Sequence, residues 1–389
     1  MNNGKYNLGV LTTSRSDFGL LRGLIDELNN EKNINLELFV TGSHKSKEMG
    51  SSLDEIKKLK NVKFTEIYQP NKSINSSTDI NISMGSLINK FDKLIKESNI
   101  TEIIILGDRY EALSVAIASL NRGVRIIHIA GGSVSNGSLD DSYRHMITKC
   151  SSLHLVETNQ YKNRVMQLGE MKKNIHVIGS LSLNKKFIKH SKFELQKFLN
   201  IDDLSNFCIL TFNPVTNEQN SGIEDLKALL NTLKNIEQKT LITFSNFDKN
   251  SNDFLNVMKS FDKKTDTFYL RNNLGIDKYF SILSLADYMI GNSSSGIIEA
   301  GSFKLPVINI GSRQEGRIRG ANVIDIKMLT PDNIHKAIKK VQSKKFQENL
   351  RSAKNPYEKK DSVLRAKNII TKFLSESNPR PKKFIDLNL

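Results

Sequence analysis

The chain has 389 residues, 38% of them hydrophobic and 25% charged, and its formal net charge is +16. This length exceeds what one hydrophobic core normally supports, so two domains are expected. No apolar run approaches the roughly 20 residues of a membrane span, and no signal-peptide pattern opens the chain, which favours a cytoplasmic protein. The two cysteines, Cys150 and Cys208, lie far apart, which disfavours a disulfide framework or a zinc site.

The positive charge has two interpretations. One is binding to nucleic acid or to a membrane surface. However, the lysines are spread along the chain, and no aromatic-rich stacking motif accompanies them. We therefore expect a lysine-rich solvated surface, with no nucleic-acid and no membrane partner, and a field that speeds the capture of an anionic substrate.

Strand-like and helix-like segments alternate along the first half of the chain. Short apolar runs predict strands at 7–12, 35–41, 102–106 and 124–129. Helical patterns lie between them at 18–29, 86–98 and 110–120. This alternation is typical of βαβ units and a parallel sheet.

The same alternation returns in the second half. Strands are predicted at 207–212, 240–245, 267–270, 287–290 and 306–310. Helices are predicted at 221–236, 276–285, 296–303 and about 357–375. The fold class is therefore α/β, with two Rossmann-like domains.

We place the domain boundaries by composition. The N-terminal Rossmann-like domain spans 1–182, a polar Lys- and Asn-rich linker spans 183–206, and the C-terminal Rossmann-like domain spans 207–356. A C-terminal helix and tail follow at 357–389. In parallel α/β sheets, ligands bind at the carboxyl ends of the strands, so the loops after the apolar runs are the candidate sites.

Two loops of the first half carry arginines directly after a strand. Arg15 and Asp17 follow the first strand, where a helix N-terminus and a guanidinium suit a phosphate. The alternative is a plain helix cap with a solvent-exposed arginine. Asp108 and Arg109 follow the strand at 102–106, where they could hold a substrate or form a local ion pair.

A third loop contains Gly131 and Gly132, which permit close approach of the backbone to a ligand. Asp140 and Asp141 follow it at the start of a helix. They suit general acid–base chemistry, and they equally suit a helix N-terminus, whose dipole favours acidic side chains. His145 is as compatible with helix packing as with a ligand contact.

Two loops of the second half suit a nucleoside diphosphate. Ser293 and Ser294 follow a strand and open a helix, where hydroxyl and N–H groups favour phosphate, and Glu299 could accept bonds from a ribose. Arg313 follows the next strand and could reach a diphosphate. A capping loop and a basic surface loop are the alternatives. No GxGxxG follows the first strand, which disfavours a dinucleotide oxidoreductase. The sequence also contains no Walker loop and no GxSxG elbow.

Together these motifs resemble the UDP-N-acetylglucosamine 2-epimerase family. The resemblance covers most of the chain and is strongest for the hydrolysing branch that serves sialic and legionaminic acid synthesis. It rests on SRSDFGLL, LGDRYEALSVAIA, DDSYRHMITK, GNSSSGIIEAGSFKLPVINIGSRQEGR and GANVIDI. The block from GNSSSG to SRQEGR is the most specific of these.

The resemblance implies a GT-B arrangement with a cleft between the domains and a C-terminal helix that crosses back to the first domain. It implies no metal and no cofactor, and a homo-oligomer, dimer or tetramer. The implied reaction removes the C2 proton of a UDP- or GDP-linked amino sugar, releases the nucleotide and adds water. The product is a free 2-epimeric sugar, from UDP-N-acetylglucosamine or from a 2,4-diacetamido-trideoxyhexose nucleotide.

The family's functional positions carry over to individual residues. Asp108 and Asp140 match carboxylates implicated in catalysis, and Asp141 beside Asp140 is included as a catalytic candidate. The nucleotide-sugar contacts fall on Arg15, Asp17, Arg109, Asn213, Asn246, Ser293, Ser294, Glu299 and Arg313.

Three positions depart from the family pattern. Ala130 stands where some members have His and others have Ala, so it is the weakest of the three. Ser133 stands where the family has a carboxylate, and Asn213 stands where it has an imidazole. A nucleotide-sugar-binding homologue with altered or lost chemistry is therefore the main alternative. Another GT-B nucleotide-sugar enzyme, such as a glycosyltransferase, is a further one.

Overall fold

The computed structural model describes residues 5–45, 53–59, 61–67, 76–135, 138–184, 187–214, 222–244, 251–263, 265–271, 274–376 and 382–386. The strands are β1 Tyr6–Thr12, β2 Ile34–Val40, β3 Lys63–Glu66, β4 Glu102–Leu106, β5 Arg125–Ile129, β6 Leu153–Val156, β7 Ile175–Val177, β8 Phe207–Thr211, β9 Lys239–Thr243, β10 Phe268–Arg271, β11 Tyr288–Gly291, β12 Val307–Ile310 and β13 Val323–Ile326.

The helices are α1 Arg15–Asn29, α2 Leu53–Lys57, α3 Ser77–Ser98, α4 Tyr110–Asn121, α5 Leu139–Cys150, α6 Asn159–Gln167, α7 Lys192–Leu199, α8 Ile223–Asn235, α9 Ser251–Asp262, α10 Ile276–Leu283, α11 Ser294–Ile298, α12 Pro331–Gln342, α13 Lys344–Ser352 and α14 Ser362–Ser375. Within the described ranges, none of these helices combines the length and the apolar character that a membrane span needs.

The chain divides into two compact units. The first comprises Met1–Ser133, Leu139–Asn184 and Lys359–Leu389. The second comprises Val134–Ser138 and Lys185–Glu358.

The first unit is built on a parallel sheet of seven strands in the order β3-β2-β1-β4-β5-β6-β7. Its central strands are almost completely buried, as the continuous apolar runs predict for a sheet covered on both faces. Helix α1 buries one stripe of its surface, at Phe18, Leu21, Leu24, Ile25 and Leu28. The strand order runs outward from β1 to β3 on one side and from β4 to β7 on the other, so the loops after the adjacent strands β1 and β4 lie side by side at the carboxyl edge of the sheet.

The C-terminal helix α14 belongs to the first unit. It buries Val363, Ala366, Ile370 and Leu374 in the same apolar core as α1 and β1. Beyond it, the described tail residues 382–386 also contact this unit, since the Ile385 N–H donates to the Gly169 carbonyl at 3.0 Å.

The second unit contains a parallel sheet of six strands in the order β10-β9-β8-β11-β12-β13. Helices α8 and α12 pack their apolar stripes, which include Leu226, Leu230 and Ile334, against the sheet. Helix α7 lies in the stretch 183–206, which we predicted as a linker, and packs Leu195 and Leu199 into the second unit's core.

All nine strands predicted from apolar runs are present, within one or two residues of the predicted ends. The predicted helix at 296–303 is instead the short α11, which begins at Ser294, followed by a 3₁₀ turn at Ala300–Phe303. The final helix begins at Ser362 rather than at 357, after a loop that includes the buried Tyr357.

Candidate functional site

The loop after β1 opens helix α1 and carries two of the predicted residues. Ser14 caps the helix by accepting a bond from the Asp17 N–H at 3.2 Å. The Asp17 carboxylate in turn accepts a bond from the Thr13 hydroxyl. Burial raises the pKa of Asp17, so its carboxyl stays protonated up to a higher pH than usual. Arg15 pairs with Glu55 at 2.9 Å and stays partly exposed.

Arg109 lies at the carboxyl end of β4 and holds a buried carboxylate. Its Nε and Nη2 donate to the two oxygens of Glu111 at 3.1 and 3.0 Å. Glu111 is 1% exposed, whereas the Arg109 side chain is 42% exposed. The Glu111 charge raises the pKa of Arg109, so a permanently charged guanidinium faces solvent at this edge.

The turn after β2 packs against the Arg109–Glu111 ion pair. Gly42 has a φ of +69°, and a Cβ there would lie 2.3 Å from the Thr13 carbonyl oxygen. Glycine is therefore needed for the two loops to approach each other. His44, in the same turn, contacts the Thr12 hydroxyl at 2.9 Å. Burial and the nearby Arg109 charge lower the pKa of His44 to about 4.

Arg144 joins three segments of the first unit. From its position on α5, its Nη2 donates to Asp108, which follows β4. Its Nη1 donates to Asp141 and to the Ser133 carbonyl, both at 3.0 Å. The Arg144 side chain is 3% exposed. We call Asp108, Asp141, Arg144 and the Ser133 carbonyl the carboxylate cluster.

Neighbours on α5 extend the carboxylate cluster towards solvent. His145 Nε2 lies 3.5 Å from the second oxygen of Asp141. Burial lowers the pKa of His145. Asp140, in the first turn of the same helix, is exposed. The structure thus joins Asp108 to Asp141 through Arg144 and leaves Asp140 on the outer side of the same turn.

In the second unit, Asn292 links the loops after three adjacent strands. Its side chain accepts a bond from the Asn213 N–H at 2.7 Å and donates to the Asn213 carbonyl at 2.8 Å. Its own carbonyl accepts bonds from Gln314 at 2.9 Å and from Arg313 at 3.2 Å. We call these four residues the asparagine cross-link. It fixes the loops after β8, β11 and β12 at the carboxyl edge of the sheet.

Two acceptor atoms of the asparagine cross-link remain unused. Asn213 Oδ1 and Gln314 Oε1 are buried, and neither has a hydrogen-bond partner among the described residues. Buried polar atoms nearly always have partners, so an orphaned pair marks a place where a polar ligand or water binds. The arrangement favours a ligand with hydroxyl or N–H groups.

The serine loop lies directly beside this cross-link. Gly291 approaches β8 so closely that a Cβ would lie 2.0 Å from the Thr211 carbonyl oxygen. Ser293 then caps α11 by accepting a bond from the Ser295 N–H at 3.2 Å. The Ser295 hydroxyl accepts a bond from Tyr279 at 2.7 Å, and burial raises the pKa of Tyr279. Tyr279 is therefore a neutral donor that fixes the loop.

The predicted residues thus fall into two groups. The group in the first unit is Arg15, Asp17, Asp108, Arg109, Asp140 and Asp141. The group in the second unit is Asn213, Ser293, Ser294, Glu299 and Arg313. Asn246 lies outside the described residues.

Sequence reasoning missed four residues that hold these groups together: Glu111, Arg144, Asn292 and Gln314. Arg144 alone carried a usable signal, because it lies three residues after Asp141 and therefore on the same helix face.

The two groups differ in chemistry. The first combines paired carboxylates with fixed guanidinium groups, which suits proton transfer next to an anionic leaving group. The second offers hydroxyl, amide and guanidinium groups, which suits a diphosphate and its attached sugars. Within the described part of the chain, no group of three His, Cys, Asp or Glu side chains is arranged to hold a metal ion.

Known proteins resemble this chain over nearly its whole length. The family model for UDP-N-acetylglucosamine 2-epimerase matches residues 26–371. A hydrolysing GDP/UDP-N,N'-diacetylbacillosamine 2-epimerase from Campylobacter jejuni is 35% identical over 352 residues, which are 89% of this chain and 90% of the relative. Polysialic acid biosynthesis protein P7 from Escherichia coli is 34% identical and covers 97% of this chain and 96% of its own length.

Solved structures share the fold. The crystal structure of UDP-GlcNAc 2-epimerase from Neisseria meningitidis, bound to UDP-GlcNAc, has a TM-score of 0.78 at 16% identity. The match covers 94% of this chain and 100% of that one. This similarity, together with the two parallel sheets, confirms the predicted α/β fold class with two Rossmann-like domains.

Proposed function

Because the chain belongs to the UDP-N-acetylglucosamine 2-epimerase family, we propose that it is a hydrolysing sugar-nucleotide 2-epimerase. The resemblance inferred from the sequence motifs is confirmed by the family match. The structural observation that carries the proposal is the carboxylate cluster, in which Arg144 holds Asp108 and Asp141 together at the carboxyl edge of the first sheet. Epimerisation at C2 needs one group to remove a proton and another to supply one, and paired carboxylates meet that need.

The substrate is a nucleoside-diphosphate amino sugar. We propose UDP-N-acetylglucosamine or a UDP- or GDP-linked 2,4-diacetamido-trideoxyhexose, since the Campylobacter relative is named for GDP/UDP-N,N'-diacetylbacillosamine. The free 2-epimeric sugar would then serve nonulosonic acid synthesis, of the sialic or legionaminic type. The orphaned acceptors Asn213 Oδ1 and Gln314 Oε1 suit the hydroxyl or N–H groups of such a ligand.

The reaction has two stages. A base removes the C2 proton while the bond from C1 to the diphosphate oxygen breaks, which releases the nucleotide and leaves a glycal. Water then adds a hydroxyl at C1, and an acid delivers a proton to C2 on the opposite face. We assign the acid–base steps to Asp108, Asp140 and Asp141.

The remaining residues bind the nucleotide in this proposal. Arg109 offers a charge that Glu111 fixes in place, and Arg313 is held by the Asn292 carbonyl. The other proposed contacts are Arg15, Asp17, Asn213, Asn246, Ser293, Ser294 and Glu299. We further propose a cytoplasmic homo-oligomer, dimer or tetramer, which light scattering of the purified protein tests.

The decisive experiment is turnover in D₂O. The protein is incubated with UDP-N-acetylglucosamine and with the UDP- and GDP-linked 2,4-diacetamido sugars, and the products are read by mass spectrometry. We expect free nucleotide, a free 2-epimeric sugar and one non-exchangeable deuterium at C2. Nucleotide binding without release from any of these sugars would refute the proposal and favour a binding homologue.

Matched variants test the residue roles. Asp108→Asn and Asp141→Asn should each lower kcat by about 10²–10⁴-fold, the usual cost of losing an acid–base group. Asp92→Asn is the control, because Asp92 pairs with Arg122 on the surface of the same unit. Activity in Asp108→Asn equal to that of the control would remove Asp108 from the mechanism.

A further inference from the structure

Arg144 occupies an unusual electrostatic position. One buried guanidinium, 3% exposed, donates to two carboxylates and to one backbone carbonyl. The carboxylates belong to different segments, since Asp108 follows β4 and Asp141 lies in the first turn of α5. The planar guanidinium therefore fixes the directions of both bonds, whereas a lysine ammonium is a compact charge on a flexible stem and constrains its acceptors less.

The charges of the carboxylate cluster do not balance internally. Two carboxylates face one guanidinium, so the cluster carries a net negative charge when both carboxylates are ionised. Asp141 and Asp108 are each partly exposed, at 24% and 27%, which leaves room for a reacting group. The segment after β4 also carries Arg109, Tyr110 and Glu111, and α5 also carries the charged or titratable residues Asp140, Tyr143, His145, Lys149 and Cys150. From α6, Arg164 donates to the Gly132 carbonyl, next to Ser133.

We propose that Arg144 is the positioning residue of this site: it holds the Asp108 and Asp141 carboxylates in the geometry and the charge state that proton transfer at the sugar requires. The inference rests on the proposed function, and it adds a residue to which the sequence motifs assigned no role. Arg144 acts through the two carboxylates and needs no contact with the substrate.

Two substitutions separate its geometric and electrostatic parts. Arg144→Lys keeps the charge but loses the planar fork, so kcat should fall about 10²-fold, the usual cost of a small misplacement of catalytic groups. Arg144→Gln also removes the charge, and an Asp normally gains one to three pKa units when it loses an adjacent guanidinium. The acid limb of the kcat/KM profile should therefore move up by about one pH unit or more in Arg144→Gln alone.

The control is Arg122→Gln. Arg122 also donates two hydrogen bonds to a carboxylate, that of Asp92, but this pair lies on the surface of the same unit. UDP affinity, measured by calorimetry, should stay within about threefold of the wild type in all three variants. A merely structural role would change melting temperature without moving the pH limb.

The outcomes are distinct. An Arg144→Lys or Arg144→Gln variant with wild-type kcat and an unmoved acid limb overturns the inference. If the wild-type protein itself releases no nucleotide, the proposed function fails, and carboxyl ¹³C NMR titration of Asp108 and Asp141 still tests Arg144. In that case, carboxyl pKa values unchanged in Arg144→Gln overturn the inference. If Arg144→Gln does not fold, Arg144→Lys decides the question by its kcat.

Discussion

The asparagine cross-link makes a strong prediction about Asn292→Ala. The Asn292 side chain is 1% exposed and makes two bonds to the backbone of Asn213, at 2.7 and 2.8 Å. Alanine removes both bonds and leaves a buried N–H and a buried carbonyl without partners. The loop after β8 then loses its side-chain attachment to the loop after β11, and the bond from the Asn292 N–H to the Thr211 carbonyl at the end of β8 remains.

The magnitude follows from the two orphaned groups. Each buried backbone group left unsatisfied costs about 1–3 kcal/mol, and partial access of water brings the expected sum to about 2–4 kcal/mol of unfolding free energy. The loop that carries Asn213 should also lose its fixed position, whereas Arg313 and Gln314 keep their acceptor, because it is the backbone carbonyl of residue 292. We therefore expect UDP affinity to fall about 10–100-fold, equivalent to about 1.4–2.7 kcal/mol.

Urea unfolding and calorimetric UDP titration measure the two effects. Asn309→Ala is the matched control, because Asn309 is also 1% exposed, on the neighbouring strand β12, and donates to Asp325 at 2.6 Å. It should lose stability with UDP affinity unchanged. If Asn292→Ala binds UDP within twofold of the wild type, the cross-link does not organise the nucleotide site and the reasoning is wrong.

Three further predictions concern the first unit. His44 and His128 are buried and neutral, with pKa values lowered to about 4 and about 3 chiefly by burial. The unfolded chain binds protons near pH 6.5, so stability is lost as pH falls from there towards 4. Urea unfolding should show that the protein loses about 2–3 kcal/mol of stability between pH 7.5 and 5.5. The loss should be smaller in His128→Gln, and an equal loss would show that His128 does not contribute to it. Lys382→Met removes bonds to the buried Glu170 carboxylate and to carbonyls at the end of α5. Thermal unfolding should show a loss of about 1–3 kcal/mol of stability, whereas the control Lys383→Met should lose about 0.5 kcal/mol or less. Ser133→Glu places a carboxylate at a 6% exposed position. A buried charge without a partner should cost about 3 kcal/mol relative to Ser133→Gln without raising kcat, and a faster enzyme would contradict this.

Eight of the nine strands that sequence analysis found lie inside a sheet, and the ninth, β10, is a sheet edge. Strand β4, with the sequence EIIIL, is continuous apolar sequence in the middle of its sheet. The missed strands are β3, β6, β7 and β13, each of three or four residues. Strands β3, β7 and β13 are sheet edges, whereas β6, with the sequence LHLV, is a buried interior strand whose apolar run is short. The sequence of β3 is KFTE, and its first residue is exposed. An edge strand needs apolar residues on fewer positions, so the pattern of a short one such as β3 is hard to tell from that of a loop.

The candidate site divides in the same way between what sequence reveals and what it does not. Asp108 and Arg109 could be placed because a parallel sheet directs every strand's carboxyl end to one edge. Their partners could not be placed, because pairing depends on tertiary geometry. Arg109 pairs with Glu111 and leaves Asp108 to Arg144, although Asp108 and Arg109 are adjacent in the chain. A local Asp–Arg ion pair was the alternative that the sequence left open, and the structure forms the longer-range pairing instead.

The same geometry explains how the site can tolerate serine where the family carries a carboxylate. Position 133 contributes its backbone carbonyl to Arg144, at 3.0 Å, and any amino acid supplies that carbonyl. The carboxylate cluster therefore keeps its framework whatever side chain stands there. With Ser133, the Arg144 guanidinium is shared by two carboxylates. The net negative charge of the cluster is therefore smaller than a third carboxylate would make it. Serine at position 133 thus lowers the number of ionisable groups and leaves Asp108 and Asp141 in position. We infer that the acid–base steps depend on these two residues and on the exposed Asp140.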